Sequence, residues 1–519
     1  CIYILTMISI ILHYLFDNIT LVSASVSVLL LYYFSTSTYD KWQKEKVPHM
    51  KPIPLFGNLA KALLGLESQY EGFDRIYRQF PDEKICGFYQ MKTPYLMIRD
   101  PELIKTILIK DFAHFTDHGF YLDSSINLIS NGLFFTNGQR WKIMRQKLSP
   151  GFTSGKLKLM YGQVKNCSKD LLSYISKKSS MSNEIEVHDL LGKYATDIIG
   201  TCAFGLKLGS MSDEDSEFRK YGKQLFKPTF RQLIITMLGM ISPKIPNKLK
   251  IQQLLPDVID FFDSTFKEFI TYREKNDINR NDVAQTLMQA RNKFVLNNDS
   301  FPEEKFTDTD IIANAIFLFF AGTEPVSNTL AFCVYELSLN KPIQEKLRQH
   351  ICETREKHGG EYNHSYLADL HYADMVLLET MRKYSGAIVL FREATKTYPV
   401  PGQSLVIEKG QKIIIPTYSF RHDPKYYPDP DIFDPGRFSP EEKAKRPNAT
   451  ELFFGDGPRF CIGKRLADLE LKLGLSEIIY NFELLPCSKT ENPIQLLPKG
   501  MIVKPKNGVW LSLKPIIRQ

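Results

Sequence analysis

The fold and the function of this chain are indicated first by residues 454–463, which read FGDGPRFCIG. A single cysteine, Cys461, lies in a glycine-rich loop directly before Lys464–Asn481, where periodic apolar residues predict a helix. Glycines allow turns that bring backbone N–H groups towards the sulfur, and the start of a helix adds partial positive charge. Both effects favour a thiolate, so we expect the pKa of Cys461 to be lowered.

Arg459, two residues before the cysteine, adds a cation beside the expected thiolate. A thiolate next to a cationic anchor for carboxylates suits haem iron and its propionates, and such a ligand favours O–O cleavage. A phosphate-binding P-loop is excluded because five residues separate Gly457 from Gly463, and a dinucleotide fingerprint would need glycine where Phe460 stands. A buried structural cysteine remains the alternative that this loop leaves open.

The loop resembles the haem-binding signature of the cytochrome P-450 family, F-x-x-G-x-R-x-C-x-G, at every fixed position. Three further motifs of that family occur in the family's order: Trp141-x-x-x-Arg145, Glu379-x-x-Arg382 and Pro435-Gly-Arg437-Phe438. Taken singly, Glu379 and Arg382 would be an ordinary surface ion pair on a helix. The joint occurrence of the motifs favours the resemblance, which extends over residues 40–519 and is greatest for insect members of the animal microsomal, xenobiotic-metabolising branch.

The resemblance implies haem b (iron protoporphyrin IX), with the Cys461 thiolate as the axial ligand of the metal. It assigns the haem propionates or the haem-binding loop to Arg459, Trp141, Arg145, Arg392, Phe454 and Gly463. Glu379, Arg382 and Arg437 are expected to hold the fold behind the cysteine. His118 lies where related sequences often carry arginine.

The resemblance and the sequence pattern agree on a mainly α protein with a small β portion, the cytochrome P-450 fold. Helical periodicity predicts helices that include Lys156–Lys177, Val187–Phe204, Leu255–Asn276 and Thr307–Leu339. Short strands are predicted at Tyr95–Ile98, Ser404–Ile407 and Lys412–Ile415. We expect residues 58–519 to form a single catalytic domain.

Residues 1–39 form a hydrophobic segment in which Asp17 is the only formal charge. Asn18–Tyr39 is long enough to cross a hydrocarbon layer of about 30 Å. Lysines 41, 44, 46 and 51 follow it, so the positive-inside rule predicts one N-terminal membrane anchor with the catalytic domain facing the cytoplasm. A cleaved secretory signal is the alternative, although its positive charges would precede the apolar run. Residues 40–57, basic and proline-rich, are predicted to be a hinge.

The long helix departs from the family pattern A/G-G-x-D/E-T, because Pro325 stands where the threonine is usual in the run Ala321-Gly-Thr323-Glu324-Pro325. Proline lacks an N–H, so we expect the helix to open locally at Ala321. Glu324 and Thr323 are the candidate catalytic residues, as a proton relay. The alternative is that Pro325 is a simple kink and Glu324 a paired helix carboxylate.

The substrate side of the family maps onto residues 112–133, 225–240, 316–321 and 387–391 of this chain. These stretches contain Phe112, Phe115, Phe120, Phe317, Phe320 and Phe391, which implies an apolar, aromatic pocket for a lipophilic small molecule. The same phenylalanines would otherwise be plain core. Residues 233–245 are a second candidate for contact with membrane lipid.

The net charge of +8 is mild and spread out, so no nucleic-acid partner is expected. Six basic residues are expected on the cysteine side: Arg140, Lys142, Arg145, Lys147, Lys464 and Arg465. They could bind an acidic NADPH-dependent cytochrome P-450 reductase, and cytochrome b5 is a second candidate partner. Eight cysteines without a CxxC pair favour a reduced compartment, and we expect the cytoplasmic face of the endoplasmic reticulum membrane.

Three functions therefore remain at the level of sequence. The favoured one is a haem-thiolate monooxygenase that uses O2 and electrons from the reductase. The second is a haem-thiolate isomerase or dehydratase that needs no reductase, which the loss of the threonine keeps open. The third is a non-catalytic haem-binding protein.

Overall fold

The computed structural model of the 519-residue chain describes residues 2–213, 216–225, 229, 231, 234–235, 238–239, 242, 244–297, 306–361, 363–384, 386–498, 500 and 502–517. Within these residues, helices dominate. The α-helices cover Ile2–Thr36, Lys41–Lys44, Ala60–Leu63, Gln69–Arg78, Pro101–Lys105, Gly138–Leu148, Ser154–Met181, Val187–Phe204, Glu217–Gln224, Lys244–Lys248, Pro256–Lys275, Val283–Asn297, Asp308–Leu339, Lys341–Lys357, His364–Asp369, His371–Lys383, Thr417–Arg421, Pro440–Ala444 and Lys464–Asn481.

The described strands form a small β portion, as the sequence predicts. They are β1 (Ile85–Gln90), β2 (Thr93–Ile98), β3 (Ile185–Glu186), β4 (Leu390–Glu393), β5 (Tyr398–Pro399), β6 (Val406–Ile407), β7 (Lys412–Ile415), β8 (Phe482–Pro486) and β9 (Trp510–Pro515). The largest sheet has the order β1-β2-β7-β4, in which β2 and β7 are parallel and the other pairs antiparallel. This sheet brings Arg392 of β4 opposite Ile413 of β7.

Asp308–Leu339, which we call the central helix, runs through the interior because it is apolar on nearly every side. A capping box between Thr307 and Asp310 fixes its start. It packs closely against Val187–Phe204: a Cβ added to Gly322 would lie 2.6 Å from Cδ1 of Ile199. The sequence predicts a local opening of this helix at Ala321. The chain nevertheless stays α-helical on both sides of Pro325, so the proline does not interrupt the helix.

The N-terminal helix carries the predicted anchor. Asn18–Thr36 has a mean hydropathy of 1.6, is only 6% buried, and is long and apolar enough to cross a membrane. The central helix meets the same test by length and composition, but its apolar window is 67% buried, as expected for an interior helix. The N-terminal helix therefore has the features of a membrane anchor, and the central helix those of a core element.

Residues 40–57, the predicted hinge, lie against the rest of the chain. Trp42 is fully buried, and its indole N–H donates to the carbonyl of Phe88 at 3.2 Å. A backbone bridge joins His49 to Gly87 of β1. These contacts fix the direction in which the N-terminal helix leaves the globule. Nine of the 16 residues in the predicted substrate stretch 225–240, and six of the 13 in the lipid-contact stretch 233–245, lie outside the described residues.

Candidate functional site

The loop that carries Cys461 is ordered by its own backbone. The N–H of Cys461 donates to the carbonyl of Phe454 at 2.8 Å, and Gly457–Arg459 forms one turn of 3-10 helix capped by Asp456. Gly463 then becomes the N-cap of Lys464–Asn481, the helix whose bounds the sequence predicts. The Cys461 side chain is accessible, so the loop presents a sulfur rather than burying one. This result disfavours the alternative of a buried structural cysteine.

Gly457 allows the loop to approach the segment before it. Its φ is +69°, and a Cβ at this position would lie 1.8 Å from the carbonyl oxygen of Leu108. Any residue with a Cβ atom would fit at this position only if the backbone moved. Gly463 differs, because its φ is −86° and a Cβ there would meet no atom within 4 Å. Close packing therefore requires a glycine at position 457 but not at position 463.

The pKa of the Cys461 thiol does not follow the sequence prediction. Although the residue is accessible, the protein atoms packed around its sulfur desolvate it, and this raises the pKa above its ordinary value, while the backbone N–H groups of Gly463 and Lys464 and the charge of Arg145 lower it. The expected stabilising groups are thus in place, but in the protein alone desolvation outweighs them. The predicted lowering of the pKa is therefore not met in the protein alone. A cation bound near the sulfur would make the groups that lower the pKa outweigh desolvation.

Arg459 and Arg392 lie inside the protein without a close carboxylate partner in the described chain. Arg459 donates to the carbonyls of Thr116 (2.6 Å) and Thr136 (2.9 Å), and its nearest carboxylate oxygen, on Asp117, is 3.7 Å away. Within the described ranges, the one acceptor of Arg392 is the carbonyl of Phe391. Burial lowers the pKa of Arg392 to about 10 and that of Arg459 to about 9, and the charge of Arg392 contributes to the second shift.

These two guanidiniums test whether the residues fit a haem. Nη1 of Arg459 and Nε of Arg392 are buried and have no hydrogen-bond partner within the described residues. Unpaired buried donors of this kind are rare and costly, and two neighbouring cations make the cost larger. A ligand with two carboxylates would satisfy both. Among the described residues, no group of three or more His, Cys, Asp or Glu could hold a bare metal ion. The residues therefore fit an iron porphyrin with propionates.

Trp141 and Arg145 lie on one helix beside the cysteine loop. The guanidinium of Arg459 lies 4.3 Å from the Trp141 ring centroid, so Trp141 supports the arginine pair. Arg145 donates to the carbonyl of Phe460 at 3.0 Å and packs on its ring, next to the cysteine. Phe454 supplies the carbonyl that holds Cys461, and its ring faces Lys464. Trp141 and Arg145 therefore contact Arg459 and the cysteine loop directly, whereas Arg392 is linked to Arg459 only through its charge.

His118 lies beside the arginine pair. Its Nδ1 is 3.0 Å from the carbonyl oxygen of Phe134, and its ring packs on that of Phe134 at 4.7 Å. Burial and the charges of Arg392 and Arg459 hold the pKa of His118 well below its ordinary value. The imidazole is therefore neutral and adds no third cation.

Glu379, Arg382 and Arg437 come together in one group, as their motifs predict. The Glu379–Arg382 pair is bidentate, at 2.7 and 2.9 Å, and both side chains are fully buried. Nε of Arg437 lies 3.6 Å from Glu379, and Arg382 also donates to the carbonyls of Arg421 and Pro430. This burial rules out the surface ion pair that the spacing alone would favour. The group clamps the segment 421–437 onto the helix His371–Lys383.

Glu324 is drawn into a polar network on the central helix. Its carboxylate lies 2.7 Å from Nζ of Lys504 and accepts from Nδ2 of Asn328 at 3.3 Å, and Asn328 in turn contacts Nε2 of His188 at 2.7 Å. Burial raises the pKa of Glu324, but the charge and hydrogen bond of Lys504 outweigh it and the net shift is downward. Glu324 is therefore an ionised, paired carboxylate.

Thr323 is not brought together with Glu324. Its hydroxyl donates back to the carbonyls of Phe319 and Phe320, and its side chain is buried. The partly accessible stripe of the central helix instead contains Phe317, Ala321 and Pro325, spaced four residues apart. Along this stripe, proline occupies the place where a hydroxyl was expected.

The predicted pocket phenylalanines divide into two sets. Phe115 is fully buried against Tyr398, so it is core, and Phe112 packs on Trp141. Phe120, Phe317, Phe320 and Phe391 keep partly accessible side chains and join Phe134 and Phe135, which sequence reasoning missed. The missed pair directly follows the stretch 112–133, so an aromatic doublet at its edge was the available signal. The sequence contains no comparable pattern that predicts the network of Glu324 with Lys504, Asn328 and His188.

The predicted docking cations are only partly free. Arg140 pairs with Asp310 at 2.5 Å, Lys464 with Asp468 at 2.7 Å, and Arg465 donates to Ser154. Lys142 and Arg465 are exposed. Carboxylates therefore offset part of the positive charge that the number of basic residues predicts for the cysteine side.

Comparison with known proteins gives matches along nearly the whole chain. The family model described as Cytochrome P450 matches residues 47–512. Cytochrome P450 6a8 of Drosophila melanogaster is 36% identical over 498 residues, which covers 95% of this chain and 98% of that protein. Cytochrome P450 6k1 of Blattella germanica is 34% identical and covers 96% of each chain, and cytochrome P450 6A1 of Musca domestica is 34% identical over 96% and 99%. These relatives are insect proteins, as the sequence predicts.

Proposed function

The chain belongs to the cytochrome P450 family, and from this premise we propose that it is a membrane-bound monooxygenase that inserts one atom of O2 into a lipophilic substrate. Family membership makes it a P450 monooxygenase that binds haem through a cysteine thiolate. The membrane attachment, the electron donor, the substrate class and the residues that act are part of the proposal.

Cys461 is the proposed axial ligand. The observation that carries this assignment is an accessible sulfur on a loop fixed by Gly457, in a protein where the buried guanidiniums of Arg459 and Arg392 each keep one nitrogen without a hydrogen-bond partner among the described residues. Arg459 and Arg392 would hold the propionates, with Trp141 packed on Arg459. Arg145 would orient the loop through the carbonyl of Phe460. Bound haem supplies the activation of O2 that the side chains lack.

Glu324 is the proposed proton-handling residue. Its carboxylate directly precedes Pro325 of the accessible stripe of the central helix, and Lys504 holds it ionised. A proton would be taken up at the carboxylate oxygen that faces away from the lysine. Thr323 remains part of the prediction only if its hydroxyl leaves the carbonyl of Phe319. Pro325 supplies no proton, since it has neither a hydroxyl nor an N–H.

The N-terminal helix supports attachment to the endoplasmic reticulum membrane, with the catalytic domain in the cytoplasm. The anchor Asn18–Thr36 is almost wholly exposed, and lysines follow it. The electron donor would be an NADPH–cytochrome P450 reductase bound by the exposed cations near Lys142 and Arg465, with cytochrome b5 as a second donor.

The test of the cysteine assignment is the difference spectrum of the dithionite-reduced, carbon-monoxide-bound protein. The natural chain should give the band of a haem thiolate, and Cys461→Ala should lose it. Cys461→His is the companion variant, because it keeps a metal ligand and should retain haem with a shifted band. A thiolate band that survives both substitutions would contradict the assignment.

A second measurement separates monooxygenation from the reductase-independent chemistry. The membrane form, reconstituted with reductase, should consume NADPH and O2 when a lipophilic substrate is present. Turnover of an organic hydroperoxide without NADPH, and no consumption with it, would favour the isomerase or dehydratase function instead.

A further inference from the structure

A polar groove that shares no residue with the proposed haem site runs along the helix Ser154–Met181. Its volume is about 890 Å³, which is within the range of sites for small molecules. One wall is this helix, and the other is formed by the end of Val187–Phe204, by residues 205–212 and by Arg280. We call it the polar groove, because polar and charged side chains form most of its lining. It is therefore unlike an apolar surface that a packed element would cover.

The helical wall of the groove presents one polar face. Gln163, Asn166, Asp170, Ser173 and Lys177 line the groove and recur every three or four residues, so they share one side of the helix. The last of them lies fourteen positions after the first, which corresponds to about 21 Å along the helix axis. The groove is therefore long enough to hold a ligand with several charged groups. Its amide and hydroxyl side chains can form hydrogen bonds with hydroxyl groups of such a ligand.

Four cations line the groove, and both walls contribute to them: Lys169, Lys177, Lys207 and Arg280. All four side chains are exposed to solvent. The guanidinium of Arg280 is held at the groove because it donates to the carbonyl of Gly205 at 2.7 Å. Within the described ranges, none of the four forms an ion pair with a carboxylate. An anion in the groove would therefore meet cations that no internal partner already neutralises.

The two carboxylates of the lining do not balance these charges. Asp197 accepts from the backbone N–H of Ser210 at 2.7 Å and from that of Met211 at 3.2 Å, so this carboxylate holds the loop in place. Asp170 is exposed and is the remaining acidic side chain of the lining. The groove as a whole therefore carries a positive charge, which favours an anionic ligand.

A buried ammonium adds to this positive charge. Lys193 is only 5% exposed, and its Nζ lies 3.0 Å from the hydroxyl oxygen of Tyr174, a residue that lines the groove. The same Nζ lies 5.0 Å from the centroid of the Tyr174 ring. In the described part of the chain, Lys193 has no carboxylate partner. A buried charge without a counter-charge is costly, and an anion bound beside Tyr174 would reduce that cost.

We propose that the polar groove binds phosphorylated polyols, which are small molecules with several phosphate groups and free hydroxyls. Lysine ammoniums bind phosphate oxygens as point charges, and a guanidinium can bind two of these oxygens at once. Asn166 and Ser173 are suited to the hydroxyls, which an acidic peptide would lack. The same chemistry is offered by a free inositol phosphate and by the headgroup of an inositol phospholipid. The inference is independent of the function proposed for Cys461.

The test is isothermal titration calorimetry of the solubilised holoprotein with inositol trisphosphate. The natural chain should bind this compound, and it should not bind myo-inositol, which has no phosphates. Lys177→Ala and Lys207→Ala, one on each wall, should each weaken binding by about threefold to fivefold, and the double variant by about tenfold or more. The matched control is Lys158→Ala, which removes an exposed lysine of the same helix outside the groove and should leave the affinity unchanged.

The source of the ligand is decided with the full chain in phosphatidylcholine vesicles, prepared with and without phosphatidylinositol bisphosphate. If the lipid headgroup occupies the groove, its presence should block the binding of added inositol trisphosphate. That result would support the proposal and assign the groove to the membrane. Equal binding in both kinds of vesicle would support the proposal with the free compound as the ligand.

Three results would overturn the inference. The first is that the natural chain fails to bind inositol trisphosphate. The second is that Lys158→Ala loses as much affinity as the groove variants, since the attraction would then be general to a basic helix. The third is that a hexaglutamate peptide binds as tightly, which would indicate an acidic peptide as the partner. The carbon-monoxide difference band tests the proposed function separately, and none of these results affects it.

Discussion

At the scale of single residues, the Glu324–Lys504 pair fixes how one carboxylate responds to pH. The pKa of Glu324 is lowered in the folded chain, because Lys504 outweighs the opposing effect of burial. A group with a lowered folded pKa stabilises the fold above its ordinary pKa, here 4.5. That contribution is lost as the pH falls through the lower, folded pKa.

Lys504→Met should therefore reduce the free energy of unfolding by about 1.5–3 kcal/mol at pH 7, the usual range for a hydrogen bond to a charged group. The deficit should shrink as the pH falls from 4.5 through the lower pKa of Glu324 in the folded chain, because protonation then removes the pair from the natural chain as well. Guanidinium unfolding at pH 7 and pH 3 would measure both values. The control is Lys506→Met, whose ammonium lies 3.3 Å from the amide oxygen of Gln495 and acts on Glu491 through its charge. A deficit that is the same at both pH values would contradict the role of the ion pair.

The sequence predicted single residues well only where a motif fixed their partners. Cys461, Arg459 and the group around Glu379 lie where the motifs indicate, because short spacings or the resemblance define them. Lys504 escaped prediction because 180 positions of chain separate it from Glu324, and a lone lysine near the C-terminus has no distinguishing pattern. Thr323 was misleading because its hydroxyl bonds to its own helix, which spacing does not reveal.

At the scale of elements, the cysteine loop needs one of its glycines for packing and not the other. Gly457→Ala should displace the loop, since its Cβ would overlap the carbonyl of Leu108, and most of the bound haem should be lost. Gly463→Ala in the same loop is the matched control, because its Cβ meets nothing within 4 Å, and haem content should be unchanged. Haem per protein, from the pyridine haemochrome, measures both. Equal losses would show that packing against Leu108 is not the constraint.

The central helix tolerates a proline at a measurable cost. Pro325→Ala restores the N–H that can donate to the carbonyl of Ala321, so the free energy of unfolding should rise by up to about 3 kcal/mol. Pro342→Ala is the control, because Pro342 lies in the first turn of Lys341–Lys357, where proline removes no helical hydrogen bond. Thermal unfolding of the two variants makes the comparison. A gain at position 342 as large as that at 325 would contradict the argument.

Elements were predictable where the periodicity was strong. Val187–Phe204, Lys464–Asn481 and the strand Lys412–Ile415 have the predicted bounds. The strand predicted over Ser404–Ile407 is confined to Val406–Ile407. The parallel pairing of β2 with β7 had no signal in the sequence, since more than 300 residues lie between the two strands. Local pattern defines an element, but not its distant partner.

At the scale of the whole molecule, the N-terminal helix and the globule should separate in function. Removal of residues 1–30 deletes most of Asn18–Thr36, which is only 6% buried, and leaves Ser35 and Trp42, which are buried against the globule. The shortened chain should leave the membrane fraction after an alkaline wash and keep the carbon-monoxide difference band. If it stays with the membrane, the globule itself holds the lipid surface, and the exposed Leu64 and Leu66 are the first residues to substitute.

The two arginines inside the globule affect the stability of the newly made chain before it binds haem. Arg392 and Arg459 repel each other in a medium that screens charge poorly, so the porphyrin-free polypeptide carries an internal electrostatic load. In the proposed site, a dianionic prosthetic group would neutralise these charges, and by linkage its binding free energy would add to the conformational stability. Newly made chains should therefore be most vulnerable to proteases in the interval before they acquire their haem.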